Sequence, residues 1–224
     1  MKVIITGSTG MIGKAALIEC LESEHVEGIL LINRSSIDII NPKVKEVLLK
    51  DFSELTNIKD KLKGFDACFH CMGVSAVGMS EDSYSQITYD MTDLLATILY
   101  ELNPSIVFNY VSGTGTDSTE SGRIMWARVK GKTENRILNM GFKDAYAFRP
   151  GAVLPEKGVK SKTRLYNTIY VLTKPFYPLL RKLESITPSS KLGKALINSV
   201  LYPQDLKHLE NPAINKLANL DEYH

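Results

Sequence analysis

Short apolar runs alternate along the chain with longer segments in which apolar residues recur every three or four positions. The runs are apolar at consecutive positions, which is typical of strands in a parallel sheet that helices cover on both faces. They predict strands at residues 2–6, 29–33, 47–50, 67–71, 106–112 and 145–149. The longer segments predict helices at residues 12–23, 55–62, 82–102 and 123–140. This alternation predicts an α/β fold with a doubly wound parallel sheet and right-handed crossovers.

The pattern changes after about residue 155. Residues 160–183 are basic and aromatic and contain two prolines, and a further helix is predicted near residues 191–201. We expect one structural unit that consists of an α/β domain at residues 1–155 and a small C-terminal cap at residues 156–224. We interpret 160–183 as a cap helix that lines a substrate pocket. The alternative is a helix on a membrane surface, because cations lie among its aromatic residues.

Composition narrows the function classes. The chain has 224 residues, with 27 Lys and Arg against 25 Asp and Glu, and a net charge of +2. A nearly balanced charge gives no sign of a nucleic-acid-binding surface. No stretch reaches the roughly 18 apolar residues of a membrane helix, so we expect no stable membrane insertion and no signal peptide. Three cysteines do not make a disulfide framework, and we expect a reducing cytoplasm.

A glycine motif follows the first predicted strand. Gly7, Gly10 and Gly13 have the spacing G-x-x-G-x-x-G and open the helix predicted at 12–23. The first glycine permits a tight turn, the second lets the backbone approach a pyrophosphate, and the third lets the helix pack closely on the sheet. The first helical turn then stabilises the negative charge through its N–H groups and dipole. This context predicts a Rossmann dinucleotide site rather than a P-loop, whose spacing differs.

The end of the second predicted strand bears on the choice between NADP and NAD. An NAD-binding domain normally places Asp or Glu there to bind the ribose hydroxyls. This chain has Asn33 followed by Arg34, which removes a repulsive carboxylate and adds a cation that can pair with a 2′-phosphate. We therefore favour NADP and keep NAD as the alternative. The alternative interpretation of Arg34 is a solvated loop cation.

Cys68 and Cys71 have the C-x-x-C spacing of metal and redox sites, but they lie within the strand predicted at 67–71. Residues three apart in a strand point to opposite faces, so these two thiols cannot bind one ion. No second cysteine pair completes four ligands. We predict no metal site and interpret both cysteines as inert strand residues.

Taken with its downstream motifs, the chain resembles the short-chain dehydrogenase/reductase superfamily. The closer likeness is to its extended and atypical branches, which include nucleotide-sugar epimerase-like NAD(P)-binding proteins. Besides the glycine motif, the resemblance is carried by Asp51-Phe52, Met72-Gly73, Val111-Ser112-Gly113-Thr114, Trp126 to Lys130, Gly131 to Glu134, and Arg149-Pro150-Gly151. Together they imply cofactor contacts from Gly7, Ser8, Thr9, Gly10, Met11, Ile12, Gly13, Asn33, Arg34, Asp51, Phe52, Cys71, Met72, Gly73, Lys130, Pro150 and Val153.

The resemblance also implies a catalytic set. In this superfamily a Ser or Thr after the fifth strand polarises the substrate oxygen, a Tyr transfers the proton, and a Lys four residues later lowers the pKa of that Tyr. By position, Ser112 or Thr114 is the hydroxyl and Lys130 is the lysine, but Trp126 occupies the tyrosine position. An indole N–H is a hydrogen-bond donor that does not titrate near neutrality, so Trp126 cannot replace the acid/base.

Three interpretations of this departure remain open. A tyrosine elsewhere, among Tyr84, Tyr89 and Tyr110, could act as a surrogate. Another group, such as Asp117 or Lys130 itself, could transfer the proton. Alternatively, the ordinary chemistry is lost.

The leading hypothesis is an NADP-dependent oxidoreductase-like or epimerase-like protein that acts on a small carbonyl or hydroxyl compound with altered or weak proton transfer. The alternative is a non-catalytic NADP-binding sensor or regulator whose cap contacts a protein partner. The substrate cannot be inferred from the cap, whose residues show too weak a pattern. By analogy with the superfamily, the helices predicted at 82–102 and 123–140 could pair in a homodimer.

Overall fold

The computed structural model describes residues 1–159, 177–181 and 183–220. Its strands are β1 (Lys2–Thr6), β2 (Gly28–Asn33), β3 (Val44–Leu48), β4 (Ala67–His70), β5 (Val107–Val111), β6 (Asp144–Arg149), β7 (Ala152–Leu154), β8 (Ile186–Pro188) and β9 (His208–Glu210). Its α-helices are α1 (Met11–Glu22), α2 (Glu81–Ser85), α3 (Met91–Leu102), α4 (Met125–Leu138), α5 (Tyr177–Leu180), α6 (Ser189–Leu201) and α7 (Asn211–Ala218). A 3₁₀ helix spans Phe52–Leu62, and a π-helical turn, Gln86–Asp90, joins α2 to α3.

Seven strands form one parallel sheet in the order β3-β2-β1-β4-β5-β6-β9. β7 and β8 form a separate parallel pair. The chain moves outward from β1 in one direction and, from β4 onward, in the other, which confirms the predicted doubly wound fold. In such sheets a crevice opens beyond the carboxyl ends of the two central strands. Here those strands are β1 and β4.

Both faces of the sheet are covered, as its continuous apolar strands predicted. In β1, Val3 and Ile5 are buried in the apolar cluster that α1, α6 and α7 cover. Ile4 between them is buried in a second cluster, on the side of the 3₁₀ helix and α3. The central strands β1, β4 and β5 are therefore almost entirely buried, and the candidate site lies at their carboxyl ends.

The chain after residue 155 adds elements to the same sheet. β9 pairs in parallel with β6, so that His208 lies beside Ala147. α6 packs tightly on α1, where a Cβ on Gly193 would lie 2.9 Å from the carbonyl oxygen of Ala15. The division at residue 155 stays a prediction. Most of the predicted cap helix at 160–183 lies outside the described residues.

β3 begins three residues earlier than the predicted strand at 47–50. Its residues pair with β2 on one side alone, and their side chains are partly or fully exposed. This edge strand has Lys45 and Glu46 at adjacent positions, so it lacks the continuous apolar run of the central strands. In the described part of the chain, no helix is long and apolar enough to cross a membrane.

Candidate active site

The glycine turn (residues 7–13) brings the end of β1 against the end of β4. Gly7 has a φ of +71°, a left-handed conformation that favours glycine. A Cβ on Gly7 would lie 2.7 Å from the carbonyl oxygen of Cys71, and one on Gly13 would lie 2.6 Å from the carbonyl carbon of Gly7. No side chain fits at such distances, so the packing of the turn requires both glycines.

The first turn of α1 is open to an anion. Gly10 occupies the N-cap position without a capping side chain, and the first turn contains no acidic residue. The N–H of Gly10 donates to the carbonyl oxygen of Gly7 at 2.9 Å, which fixes the turn below the helix. The N–H groups at the helix start then remain for a ligand, and the helix dipole favours a negative one. This cradle fits the phosphates of a dinucleotide.

A cavity of about 90 Å³ opens beside the glycine turn, at the ends of β1, β2 and β4. Its lining residues are Gly7, Thr9, Gly10, Ile32, Asn33, Arg34, Phe52, Cys71, Met72 and Gly73. All of them except Ile32 are predicted cofactor positions. The structure therefore brings together at one crevice residues that the sequence places at the ends of four separate predicted strands.

Four other predicted cofactor positions have side chains that are engaged within the protein. Met11 and Ile12 are partly buried against the apolar cluster under α1, and Val153 is buried in the same cluster. The Asp51 carboxylate accepts a hydrogen bond from the Ser53 N–H at 2.9 Å and caps the 3₁₀ helix. This bond lowers the pKa of Asp51. Their part in cofactor binding stays a prediction.

Asn33 is held at the end of β2 through both ends of its amide. The Ser8 hydroxyl donates to Asn33 Oδ1 at 2.8 Å, and Asn33 Nδ2 donates to Glu46 Oε1 at 2.7 Å. The other carboxylate oxygen of Glu46 accepts from the Ser36 hydroxyl at 2.7 Å. Glu46 is not among the predicted site residues, because its partners depend on the register that sets Leu31 of β2 beside Glu46 of β3.

The turn after β5 (residues 112–116, the β5 turn) exposes Thr114 between two glycines. A Cβ on Gly113 would lie 3.7 Å from Lys130 Nζ. A Cβ on Gly115 would lie 3.4 Å from Cη2 of the Trp126 ring. The predicted hydroxyl, lysine and tryptophan therefore lie around one turn, as the superfamily pattern requires.

Lys130 is half-buried on α4 and donates a hydrogen bond to the Ser112 carbonyl oxygen. Burial lowers the pKa of Lys130, and the Glu134 carboxylate one turn later acts in the opposite direction. An ammonium group carries three N–H donors, so the bond to Ser112 leaves Lys130 further capacity to bind a ligand. A lysine with a lowered pKa can also exchange a proton.

Ser112 and Thr114 differ in what their hydroxyls do. The buried Ser112 hydroxyl donates to Glu134 Oε1 at 2.5 Å, with the Phe148 carbonyl oxygen at 3.2 Å. Glu134 is fully buried, and both of its oxygens accept from the Arg149 guanidinium, which raises the pKa of Arg149. Ser112 is thus engaged inside the protein, and Thr114 presents the exposed hydroxyl. Glu134 could have been found by its place four residues after Lys130, on the same helix face.

The possible substitutes for the missing tyrosine differ in burial and in the groups they contact. Tyr84 and Tyr110 are buried in the core, and burial raises the pKa of each. The Tyr89 ring lies 4.4 Å from the Nζ of Lys132. Asp117 accepts hydrogen bonds from Thr119 and Gly122, which lower its pKa and leave it ionised at neutral pH. These placements favour Lys130 over the other candidates.

The two cysteines of the C-x-x-C sequence face opposite sides of the sheet, as predicted. Cys68 is buried in the cluster on the 3₁₀-helix side, and Cys71 packs against the cluster under α1. Burial raises the pKa of Cys71 to about 12, so it remains a protonated thiol. Within residues 1–159, 177–181 and 183–220, no group of three or more His, Cys, Asp or Glu side chains is placed to hold a metal ion.

This glycine turn at the switch point of a doubly wound sheet defines a Rossmann-type dinucleotide-binding domain. The family model "NAD dependent epimerase/dehydratase family" matches residues 3–120, more than half of the chain. The chain belongs to this family. Family membership and the cradle of the glycine turn together support binding of a nicotinamide cofactor.

Three known proteins illustrate the relationship. Protein HTATIP2 of Rattus norvegicus is 27% identical over 159 residues, which cover 69% of this chain and 64% of the rat protein, less than two thirds of its length. Protein FMP52, mitochondrial, of Meyerozyma guilliermondii is 23% identical over 214 residues, or 91% of this chain and 87% of the yeast protein. The structure of MoeE5 in complex with UDP-glucuronic acid and NAD superposes with a TM-score of 0.68 at 16% identity, covering 94% of this chain and 76% of MoeE5. This likeness shows a shared fold.

Proposed function

We propose that this protein is an NADP-dependent oxidoreductase or epimerase-like protein that acts on a small carbonyl or hydroxyl compound with altered proton transfer. The observation that carries the proposal is the exposed Thr114, with the Lys130 ammonium and the Trp126 indole beside its two glycine neighbours. Membership of the epimerase/dehydratase family supports the nicotinamide cofactor. The substrate class rests on the chemistry of these three groups.

The cofactor would be held mainly by backbone. The N–H groups at the start of α1 bind the phosphates, and the cavity beside the glycine turn receives the nucleoside end. When bound, the cofactor exchanges a hydride with a substrate carbon. The Thr114 hydroxyl and the Trp126 indole N–H, which has no hydrogen bond within the described residues, donate to the substrate oxygen and polarise it.

The proton would move at Lys130 Nζ. In the reducing direction the ammonium gives a proton to the developing alkoxide, and in the oxidising direction the neutral amine accepts it. Burial lowers the pKa of Lys130, which favours release of its proton. The Ser112–Glu134–Arg149 network positions the carbonyl oxygen that Lys130 contacts.

Arg34 supports NADP over NAD. It lines the cavity, is exposed, and has no ion pair or hydrogen bond within the described residues. A free guanidinium at this position is suited to a 2′-phosphate, which it can bind through two hydrogen bonds.

Compartment and assembly complete the proposal. We place the protein in the cytoplasm because its three cysteines are unpaired thiols, although the yeast relative is named as mitochondrial. A homodimer through α3 and α4 is proposed by analogy with the superfamily. Cell fractionation and the mass measured in solution test these two points.

Binding and turnover, measured separately, test the central proposal. Calorimetry should show NADPH binding, and NADPH oxidation should be detected with part of a panel of aldehydes, ketones and nucleotide sugars. The Lys130→Met variant should lose about 100-fold in kcat, the range expected for a lost acid/base group, and Lys130→Arg should not restore it. Thr114→Val should lower kcat by about 10-fold through the lost hydrogen bond. Absence of NADPH and NADH binding by the wild-type protein would overturn the proposal.

A non-catalytic regulator is the second candidate, and Trp126 favours it. The indole stands where the superfamily has its titrating tyrosine, so the chain could retain binding without turnover. The regulator predicts tight NADPH binding, no turnover on the whole panel, and a gain of activity in the Trp126→Tyr variant. Turnover by the wild-type protein that depends on Lys130 excludes it.

A further inference from the structure

The end of β2 carries two opposite charges beside the cofactor cavity. Arg34 is an exposed cation without a described partner. Glu46 reaches the same place from β3, where its carboxylate accepts hydrogen bonds from Asn33 and Ser36 at 2.7 Å each. Asn33 and Arg34 line the cavity, and Glu46 is one hydrogen bond from that lining.

The position of Glu46 is fixed by the sheet. The register of β2 and β3 sets Leu31 beside Glu46, and Asn33 lies two residues after Leu31 on the same face of β2. Asn33 is itself buried and is held on its other side by the Ser8 hydroxyl. Because Ser8 takes Oδ1 and Glu46 takes Nδ2, the amide has one orientation, and the carboxylate is kept at the strand end.

A carboxylate in this place restores a charge that the strand end itself lacks. Domains of this type that bind NAD place an acidic residue at the end of the second strand, where it accepts from the ribose hydroxyls and repels a 2′-phosphate. Asn33 occupies that position here. The acidic residue near this position is Glu46 of the neighbouring strand β3, and the cation is Arg34 in the loop after β2.

We propose that Glu46 is a second determinant of cofactor preference, which acts against Arg34 and keeps the preference for NADPH over NADH narrow. The inference rests on the proposed cofactor function. It assigns the negative charge to Glu46 and the positive charge to Arg34, so that neutralising either one shifts the preference in a predictable direction. Charges near a protein surface interact without direct contact, and salt screens the interaction.

Calorimetric dissociation constants for NADPH and NADH test the proposal. Adenosine 2′,5′-bisphosphate and 5′-AMP serve as probes of the nucleoside end alone, so the readout does not depend on turnover. Glu46→Gln keeps the shape of the side chain and an oxygen that can accept from Asn33 Nδ2, and we expect it to raise the ratio of NADPH to NADH affinity by about 10-fold. Arg34→Ala should lower the same ratio by about 10-fold. Both shifts should shrink as salt is added.

Two control variants separate charge from scaffolding. Ser36→Ala removes one hydrogen bond to Glu46 and leaves its charge, so the affinity ratio should stay within about 2-fold of wild type. Glu24→Gln makes the same change in net charge at an exposed carboxylate in the turn between α1 and β2, and it should also leave the ratio unchanged.

Several outcomes would overturn the inference. An unchanged ratio in Glu46→Gln shows that the charge is not sensed. A ratio that falls in both Glu46→Gln and Ser36→Ala shows that Glu46 serves only to hold the loop. If Glu46→Gln does not fold, Glu46→Thr, which suits an edge strand, must give the same rise. Failure of the wild-type protein to bind either nucleotide instead overturns the proposed function itself.

Discussion

The glycine turn and the β5 turn lie at the same carboxyl edge of the sheet, on either side of β4, but they are built in different ways. In the glycine turn the close contacts are between backbone atoms, and Gly7 and Gly13 leave no space for a side chain. In the β5 turn glycines also flank the key residue, but the groups that face them are the side chains of Lys130 and Trp126. The glycine turn therefore depends on backbone packing, and the β5 turn depends on which side chains surround it.

This difference explains how one site can be retained while the other diverges. A backbone cradle is lost only when a glycine is replaced, so many sequences keep the ability to bind a dinucleotide. A side-chain site can change its chemistry through one substitution, such as a tryptophan at the tyrosine position. The buried support of the β5 turn, formed by Ser112, Glu134 and Arg149, does not involve Trp126.

The largest effect is expected from breaking that support. Glu134 is fully buried, and the Arg149 side chain that pairs with it is 14% exposed. Glu134→Ala removes the buried partner of Arg149 and leaves the half-exposed Glu210 carboxylate at 3.9 Å, so we expect a loss of about 3 kcal/mol in the free energy of unfolding, measured in urea. NADPH binding by the folded fraction should persist, because the glycine turn does not use Glu134.

Glu101→Ala is the matched control for Glu134→Ala. Its carboxylate pairs with Lys59 at 3.1 Å, but both side chains are well exposed. Exposed pairs contribute less than about 1 kcal/mol, so the stability of this variant should be close to wild type. Equal losses in the two variants would show that the buried network does not support the β5 turn.

The next effect tests the backbone cradle. In Gly13→Ala the new Cβ would collide with the turn at Gly7, so we expect NADPH affinity to fall by about 100-fold, the effect of roughly 3 kcal/mol of misfit. Gly28→Ala is the control, because Gly28 begins β2 at the end remote from the cavity and the atoms nearest to a Cβ there, at 3.2 Å, belong to the flexible Lys2 side chain. Its NADPH affinity should be nearly unchanged. A Gly13→Ala variant with wild-type affinity would contradict the proposed role of the turn.

The same difference decides what could be predicted from the sequence. The glycine turn is encoded by neighbouring residues, so its position and the doubly wound sheet followed from spacing and periodicity. Glu46 could not be inferred, because its contact with Asn33 depends on strand register. The choice of Thr114 over Ser112 as the exposed hydroxyl likewise required the position of Glu134, which lies 22 residues from Ser112.

His70 lies between the two turns and forms hydrogen bonds to Thr6, just before the glycine turn, and to Thr92 of α3. It ends β4, with Thr6 of β1 on one side and Tyr110 of β5 on the other. The Thr92 hydroxyl donates to the Thr88 carbonyl oxygen at 2.6 Å, so Thr92 Oγ1 accepts from His70 Nε2–H at 3.0 Å. His70 Nδ1 must then accept from the Thr6 hydroxyl at 2.9 Å. The imidazole is thus held neutral, with its proton on Nε2.

Burial lowers the pKa of His70 from 6.5 to about 3, which predicts a loss of stability in acid. Above pH 6.5 the ring is neutral in both the folded and the unfolded chain, and its contribution is fully present. As the pH falls from 6.5 toward 3, His70 is protonated in the unfolded chain but stays neutral in the folded chain. Each pH unit in this window therefore lowers the free energy of unfolding by about 1.4 kcal/mol. The total loss at pH 5 is about 2 kcal/mol.

Urea unfolding at pH 7 and pH 5 measures this cost against a variant without the imidazole. His70→Gln, whose amide can both donate and accept, should lose about 2 kcal/mol less than wild type between the two pH values, whatever its stability at pH 7. His25→Gln is the control, because His25 is exposed and its variant should keep the wild-type pH dependence. Thr6, which bonds to His70, immediately precedes Gly7. If this hydrogen bond supports the glycine turn, His70→Gln should also weaken NADPH affinity. Unaltered affinity would mean that the glycine turn does not depend on the hydrogen bonds of His70.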